Sequence, residues 1–283
     1  MKVDPTPMIE PNIRNTPVTA EHADTNDRFL IVTERGGEPV SAAQLERFYQ
    51  RYIWAGAFCQ GKDVLEVACG TGPGLGYLHS VSRSLRAGDV SAKVLEAARA
   101  QYGERICLDR FDATSAPYAD GSFDVILLFE AIYYLPDVRA FLREVGRLLR
   151  PDGVLLLATA NKDLFDFNPS SFSRNYFNAP ELSSLLGEFG FVTQFLGGST
   201  VSPHGLGSLG LRAAKRVAVD LGLMPKSMNG KRLLKRLVFG KLVHMPLELD
   251  ARNVPYVPPV PIPANSRDLT HQVLYCVAGK GSS

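Results

Sequence analysis

An apolar run, Asp63-Val64-Leu65-Glu66-Val67-Ala68-Cys69, carries one internal acid and empties into Gly70-Thr71-Gly72-Pro73-Gly74-Leu75-Gly76. Four glycines at alternate positions make a turn without β-carbons, so backbone can approach a ligand closely. Leu75, Leu78 and Val81 then fall at helical spacing. A β-branched residue at Gly72 is expected to intrude on ligand space and to resist a positive φ. About 20 residues past the turn comes Asp89, in Gly88-Asp89-Val90-Ser91. That lag suits an acid taking both hydroxyls of a ribose. The competing role is a helix N-cap, which Asp and Ser both fill well. A dinucleotide-binding loop is the rival reading of the turn. Its G-x-G-x-x-G pattern fails, because Leu75 or Tyr77 stands where the third glycine belongs.

Two further acids follow strands. Asp112 lies in Phe111-Asp112-Ala113-Thr114, and Glu130 in Phe129-Glu130-Ala131-Ile132-Tyr133-Tyr134. Ligands of an open α/β sheet sit outside the carboxyl ends of its strands, which favours a binding role for Asp112 over a simple turn former. Glu130 can bind a substrate, act as a base or cap its loop. Tyr134 and His204 are weaker candidates for proton transfer, since a free phenol titrates near pH 10 and a lone loop histidine is usually surface. Asp124, at a strand start, reads as structural. No C-x-x-C pair or other metal-ligand spacing is present, and no metal is expected.

Together these residues resemble the class I S-adenosylmethionine (SAM) dependent methyltransferases, in the small-molecule, type 11-like branch. The resemblance covers roughly 46–198 and 270–280, and includes Arg150-Pro151-Asp152-Gly153 and the Tyr176–Leu182 stretch. It implies a Rossmann-like α/β sandwich with a mostly parallel seven-stranded sheet and an antiparallel last strand. It also implies SAM as cofactor. Glu66, Gly70, Thr71, Gly72 and Gly74 would hold its methionine and ribose, Asp89 and Val90 the ribose, Asp112 and Ala113 the adenine. Phe129 would face the methionine end, and the helix bearing Arg51 and Tyr52 would close over the cofactor. The implied activity is methyl transfer to a small-molecule acceptor, a sugar or a lipid-linked or phosphorylated metabolite, on O or N. An NAD(P)-dependent oxidoreductase and a nucleic-acid methyltransferase are the alternatives.

The elements needed to position these groups are legible as alternation. A helix is expected over 42–58, then strands at 63–69, 84–88, 105–109, 123–129 and 153–160. Helices at 74–82, 91–102 and 137–149 separate them, and a helix at 180–188 leads to a strand near 191–196. His271–Ala278 reads as the final strand. This divides the chain into an arm and cap helix (1–61), a core (62–198), an insertion (199–267) and a last strand with tail (268–283). Six prolines between 246 and 263 argue against regular structure there. Five aromatics over 162–177 form either a lid or a local core.

At 283 residues, 45% hydrophobic and 21% charged, the composition is that of a globular α/β protein. No apolar run is long enough to span a bilayer and no secretory signal is evident. Cys59, Cys69, Cys107 and Cys276 are scattered, three of them in or beside strands, and read as small core residues; a reducing, cytoplasmic setting is expected. The net charge is +2, but residues 212–241 hold nine Lys or Arg against Asp220, a local +8 that leaves −6 elsewhere. Lys231-Arg232-Leu233-Leu234-Lys235-Arg236 alternates basic and apolar residues at a helical period. It suits an anionic acceptor or a peripheral anionic membrane contact, or else packs as a solvated helix. Nucleic acid is disfavoured, because no aromatics interleave with the basic residues. Nothing in the sequence sets the oligomeric state.

Overall fold

The computed structural model describes residues 34–201, 242–252 and 255–281. The arm before residue 34, His204 and the basic stretch at 212–241 lie outside the described residues.

Alternating elements build one eight-stranded sheet with helices on both faces. β1 (Pro39–Ser41) leads into α1 (Ala42–Cys59), whose first turn is capped by Ser41 Oγ accepting from Gln44 N. β2 (Asp63–Val67), α2 (Leu75–Val81), β3 (Ser84–Asp89), α3 (Ala92–Tyr102) and β4 (Cys107–Arg110) follow. β5 (Phe123–Phe129), α4 (Val138–Leu148), β6 (Leu149–Ala160), α5 (Ala179–Gly187) and β7 (Phe191–Thr200) complete the alternation. β8 (Leu242–His244), β9 (Val260–Ile262) and β10 (His271–Lys280) come last.

The sheet order is β4-β3-β2-β5-β6-β10-β7-β9. β4 through β6 are parallel, and β10 runs antiparallel between β6 and β7. Every residue of β2 is buried, as a central parallel strand covered on both faces requires. One apolar layer joins the sheet to α1, α2 and α3 through Phe48, Leu75, Leu78 and Leu95. The other joins it to α4 and α5 through Phe141, Val145 and Leu182. Helix starts are set by short polar caps: Ser91 on α3, Asp137 on α4, and an Asn178–Glu181 capping box with Pro180 on α5. The chain steps one way from β2 to β4 and the other way from β5 to β6. The resulting crevice lies at the carboxyl ends of β2 and β5.

The lower end of the sheet is closed by charge. Asp63 accepts from Arg83 and Arg150, and Arg150 also pairs with Asp124 at 2.9 Å. The Arg83 bond leads in holding the Asp63 carboxyl well below its ordinary range. Asp124 thus ties strand starts together at the end of the sheet opposite the crevice.

Three features depart from the sequence reading. The sheet has an eighth strand, β9, inside the proline-rich stretch expected to be irregular. Its Pro261 is tolerated because β9 is an edge strand, where a missing N–H costs no ladder bond. β1, in the expected arm, pairs antiparallel with β8, in the expected insertion, aligning Val40 with Val243. Cys59, Cys69 and Cys276 are buried, but Cys107 opens the edge strand β4 and is exposed, so it is not a core residue.

Candidate functional site

The crevice is a cavity of about 790 Å³, walled by the carboxyl ends of the parallel strands below and by α1 above. Glu66, on β2, is 2% exposed. Tyr52 on α1 donates to its Oε1 at 2.6 Å, while Oε2 has no partner among the described residues. Burial pushes the carboxyl up to about 7. A buried acid with an unmatched oxygen at a cavity wall awaits a cationic or N–H-bearing ligand.

Beyond β2 the turn takes the backbone that only glycine adopts freely, with φ of 62° at Gly70 and 75° at Gly72. Gly70 borders the cavity; Thr71, Gly72 and Gly74 do not. Thr71 donates its hydroxyl to Glu34 O at 3.1 Å. A β-carbon at Gly72 would lie 2.6 Å from Leu75 Cδ1, and one at Gly74 would fall within the Tyr52 ring. The expected intrusion of a residue-72 side chain into ligand space is therefore corrected: its clash is with the protein. These glycines set how tightly the turn is packed on α1, α2 and α3.

Asp89 sits at the end of β3 and borders the cavity beside Val90. Its Oδ2 accepts from Gly70 N at 3.1 Å and its Oδ1 from Ser91 N at 2.9 Å. The N-cap of α3 is Ser91, not Asp89. The Val90 amide also meets this carboxylate, so of its roughly four lone-pair sites about one remains for a ligand. Asp112 and Ala113 also border the cavity. Both Thr114 bonds fall on Asp112 Oδ1, at 2.8 Å from the amide and 2.7 Å from the hydroxyl.

Phe129 and Glu130 close β5 toward the other half of the cavity. Glu130 has φ of 50°, and Ala68 after β2 has 55°. Two adjacent central strands thus end in a left-handed non-glycine residue, a costly backbone that clusters at functional sites. The Glu130 carboxyl is raised above its ordinary value, chiefly by burial. Tyr133 donates to its Oε2 at 2.9 Å, and no bond from a described residue reaches Oε1. Tyr134 borders the cavity and its hydroxyl meets Ser170 Oγ. Tyr133 also stacks on Tyr176 at 4.3 Å, and Phe167 meets Tyr176 edge-on. Within the aromatic stretch, Tyr176 and Phe177 pack on the core, Phe167 borders the cavity, and Phe165 and Phe172 are exposed.

Sequence reasoning missed several wall residues. Arg47 lies one helical turn before Arg51 and donates to Gln272 Oε1 at 2.9 Å. The i, i+4 repeat of arginine on an otherwise apolar stripe was the available signal. Arg51 is buried and paired with Glu34. Arg174, Gln272 and Val273 come from two distant segments, and no local pattern marks them.

Residues 65–157 match the family model described as Methyltransferase domain. Over that stretch the chain is similar to methyltransferase domains, and its mostly parallel sheet with an antiparallel inner strand has the Rossmann-like fold of solved methyltransferases. A probable S-adenosylmethionine-dependent methyltransferase of Mycobacterium tuberculosis is 31% identical over 171 residues, which is 57% of this chain and 62% of that protein. The phthiotriol/phenolphthiotriol dimycocerosates methyltransferase of the same species is 40% identical over 103 residues, 33% of this chain and 36% of that one. The chain therefore spans less than two thirds of the length of these curated relatives. In fold, the chain is similar to the YcgJ protein of Bacillus subtilis, with a TM-score of 0.53 and 17% identity over 84% of this chain and all of that one.

The first of these relatives is named as a probable SAM-dependent enzyme, and the residues present here fit that cofactor. The unmatched Glu66 oxygen suits an ammonium group, and the remaining acceptor site of Asp89 suits a ribose hydroxyl. No helix among the described residues is long and apolar enough to cross a membrane.

Proposed function

We propose that the protein is a SAM-dependent methyltransferase acting on a hydroxyl of a small, lipid-linked or otherwise anionic acceptor. The observation that carries the reading is one continuous cavity joining Glu66, Gly70, Asp89 and Asp112 at one side to Glu130, Phe167 and Arg174 at the other. When bound, SAM supplies a methyl group already activated on a sulfonium. What remains for the chain is alignment, exclusion of water and removal of a proton. Holding two reactants in register supplies much of the rate. Glu130 Oε1 accepts the proton that the hydroxyl gives up, while Tyr133 anchors the other oxygen and fixes the carboxyl. Burial strengthens this carboxylate as a base, moving it toward the pH at which it must work.

Two features support an anionic, lipid-linked acceptor. The +8 charge over 212–241 lies in the segment joining β7 to β10, and Arg174 borders the cavity. One relative is named for lipid acceptors, the phthiotriol and phenolphthiotriol dimycocerosates. The test has two stages. Calorimetry with SAM, and with NAD as control, is expected to show SAM binding alone; NAD binding alone overturns methyl transfer. Labelled SAM is then offered with an alkyl phenol, an alkyl glucoside, an alkyl phosphate ester bearing a free hydroxyl, and an alkyl amine. Label in the hydroxyl probes is expected, most of all in the phosphate ester. Label in the amine alone overturns the hydroxyl assignment.

A further inference from the structure

We infer that Glu248, which follows β8, is a positioning residue for the cofactor turn, acting through Arg105 and Tyr102. This rests on the reading that the Gly70–Gly76 turn belongs to the SAM site.

The brace begins at Tyr102, the last residue of α3. Its hydroxyl donates to Gly72 O at 2.6 Å and accepts from Gly76 N at 3.3 Å. One phenol thus spans the turn from its middle to the first residues of α2. Arg105 lies over the Tyr102 ring, 5.0 Å from its centroid, and donates to Glu248 Oε2 at 2.5 Å. Glu248 in turn occupies the space beside Gly76, where a β-carbon would fall within its side chain. The neighbouring Leu249 is buried and donates its amide to Pro73 O at 2.7 Å. None of Tyr102, Arg105 and Glu248 borders the cavity. They act on the turn from behind, as its outer wall.

The stretch from β8 to Leu249 is also tied to the residues around β1. β8 pairs with β1, Met245 N donates to Glu38 O, and Gly37 N donates to Met245 O. Glu34, just upstream, takes the Thr71 hydroxyl on its carbonyl and pairs with Arg51 on the cavity roof. The glycine turn is therefore gripped by two segments that both lie outside the 62–198 core. A segment read as serving the acceptor also reaches the donor side.

The test measures SAM affinity by calorimetry beside thermal unfolding, on the full chain. Tyr102→Phe keeps the ring and its packing but loses both bonds; SAM affinity is expected to fall about tenfold. Glu248→Gln removes the charge and should weaken SAM up to about fivefold at low salt, a difference that closes as salt screens the half-exposed pair. Gly76→Ala must expel the Glu248 side chain, so the double variant Gly76→Ala/Glu248→Ala should bind SAM no more weakly than Gly76→Ala alone. Strictly additive losses in that cycle, or parental SAM affinity in Tyr102→Phe and Glu248→Gln, overturn the positioning role. A lowered melting temperature with unchanged affinity also overturns it, since that is what a purely structural brace gives. If Tyr102→Phe does not fold, the surface change Glu248→Gln and the glycine cycle decide. A parent that binds no SAM overturns the methyltransferase reading instead, before any variant is compared.

Discussion

Replacing Glu66 with glutamine should make the cofactor-free protein less sensitive to high pH while weakening the cofactor. Glu66 is 2% exposed, and Oε2 lacks a partner among the described residues. Burial raises its pKa from an ordinary 4.5 to about 7. At ~1.4 kcal/mol for each tenfold change in proton affinity, ionising it in the folded chain costs about 3 kcal/mol more than in the unfolded chain. The sign follows from which state holds the proton. Between 4.5 and 7 the folded state binds it and the unfolded state does not, so stability falls as pH rises through that window. The stabilising share is complete below 4.5 and gone above about 7. From pH 5 to pH 8 the parent should lose about 2 kcal/mol that Glu66→Gln, having no proton to lose, retains. The amide keeps an oxygen for the Tyr52 hydroxyl but brings an unmatched N–H, worth about 1–3 kcal/mol against the variant at every pH. The informative quantity is thus the pH slope of the difference, read from urea midpoints at several pH values. Equal slopes for parent and variant would refute the claim that Glu66 is strained by burial. The second arm is SAM affinity at pH 8. Loss of a charge-assisted bond to an ammonium should cost at least tenfold. Parental affinity there would remove Glu66 from the cofactor site. Because SAM binding returns a charge partner to Glu66, calorimetry near pH 7 in buffers of different ionisation enthalpy should also show proton release from the parent, absent in the variant.

Three other perturbations separate binding from folding. Asp89→Asn keeps the shape but not the charge, and should weaken SAM at least tenfold with little change in circular dichroism; undiminished affinity would detach Asp89 from the ribose. Gly72→Val should lose stability and SAM binding together, because its side chain meets Leu75 and Tyr102 at a φ of 75°; a normal urea midpoint would contradict the packing described. Glu130→Gln should leave SAM affinity within about twofold and cut transfer to a hydroxyl probe at least a hundredfold. The parent rate should rise with pH through the raised Glu130 pKa and then level, tuned by the charges facing it, Arg47 and Arg51 on α1 and Glu34 before it, with Tyr133 on its Oε2; a matching profile in the variant would exclude it as the base.

Much of the cavity wall beside the glycine turn is written in short segments. β2 is legible because a fully buried parallel strand needs an unbroken apolar run, and Val64, Leu65 and Val67 supply it. Asp89 is legible because the distance from a glycine turn, through one helix, to the end of the next strand is set by geometry alone. Asp112 and Glu130 follow from the same rule applied to β4 and β5. Gly72 shows the limit of such reasoning. Its position predicts a backbone conformation, and that holds, but not which neighbours its missing side chain would meet. β9 was hidden because Pro261 is excluded from central strands and tolerated on an edge, and edge status is a property of the whole sheet.

The half of the cavity away from the glycine turn is assembled differently, and this explains why its chemistry is harder to read. Arg47 comes from α1, Arg174 from the loop before α5, Gln272 and Val273 from β10, and each is ordinary in its own window. Only the antiparallel placement of β10 against β6 brings Val273 beside Ala160 and so closes the wall. A cofactor common to many chemistries can be held by a local motif, since the same atoms must be met each time. An acceptor particular to one enzyme is met by whatever distant segments the topology delivers to the strand ends. On the proposed reading, those segments here are the loop over 162–177 and the start of β10. Substitutions that alter acceptor choice without touching SAM should therefore map to Phe167, Ser170 and Arg174, which border the cavity and make no described contact with the glycine turn.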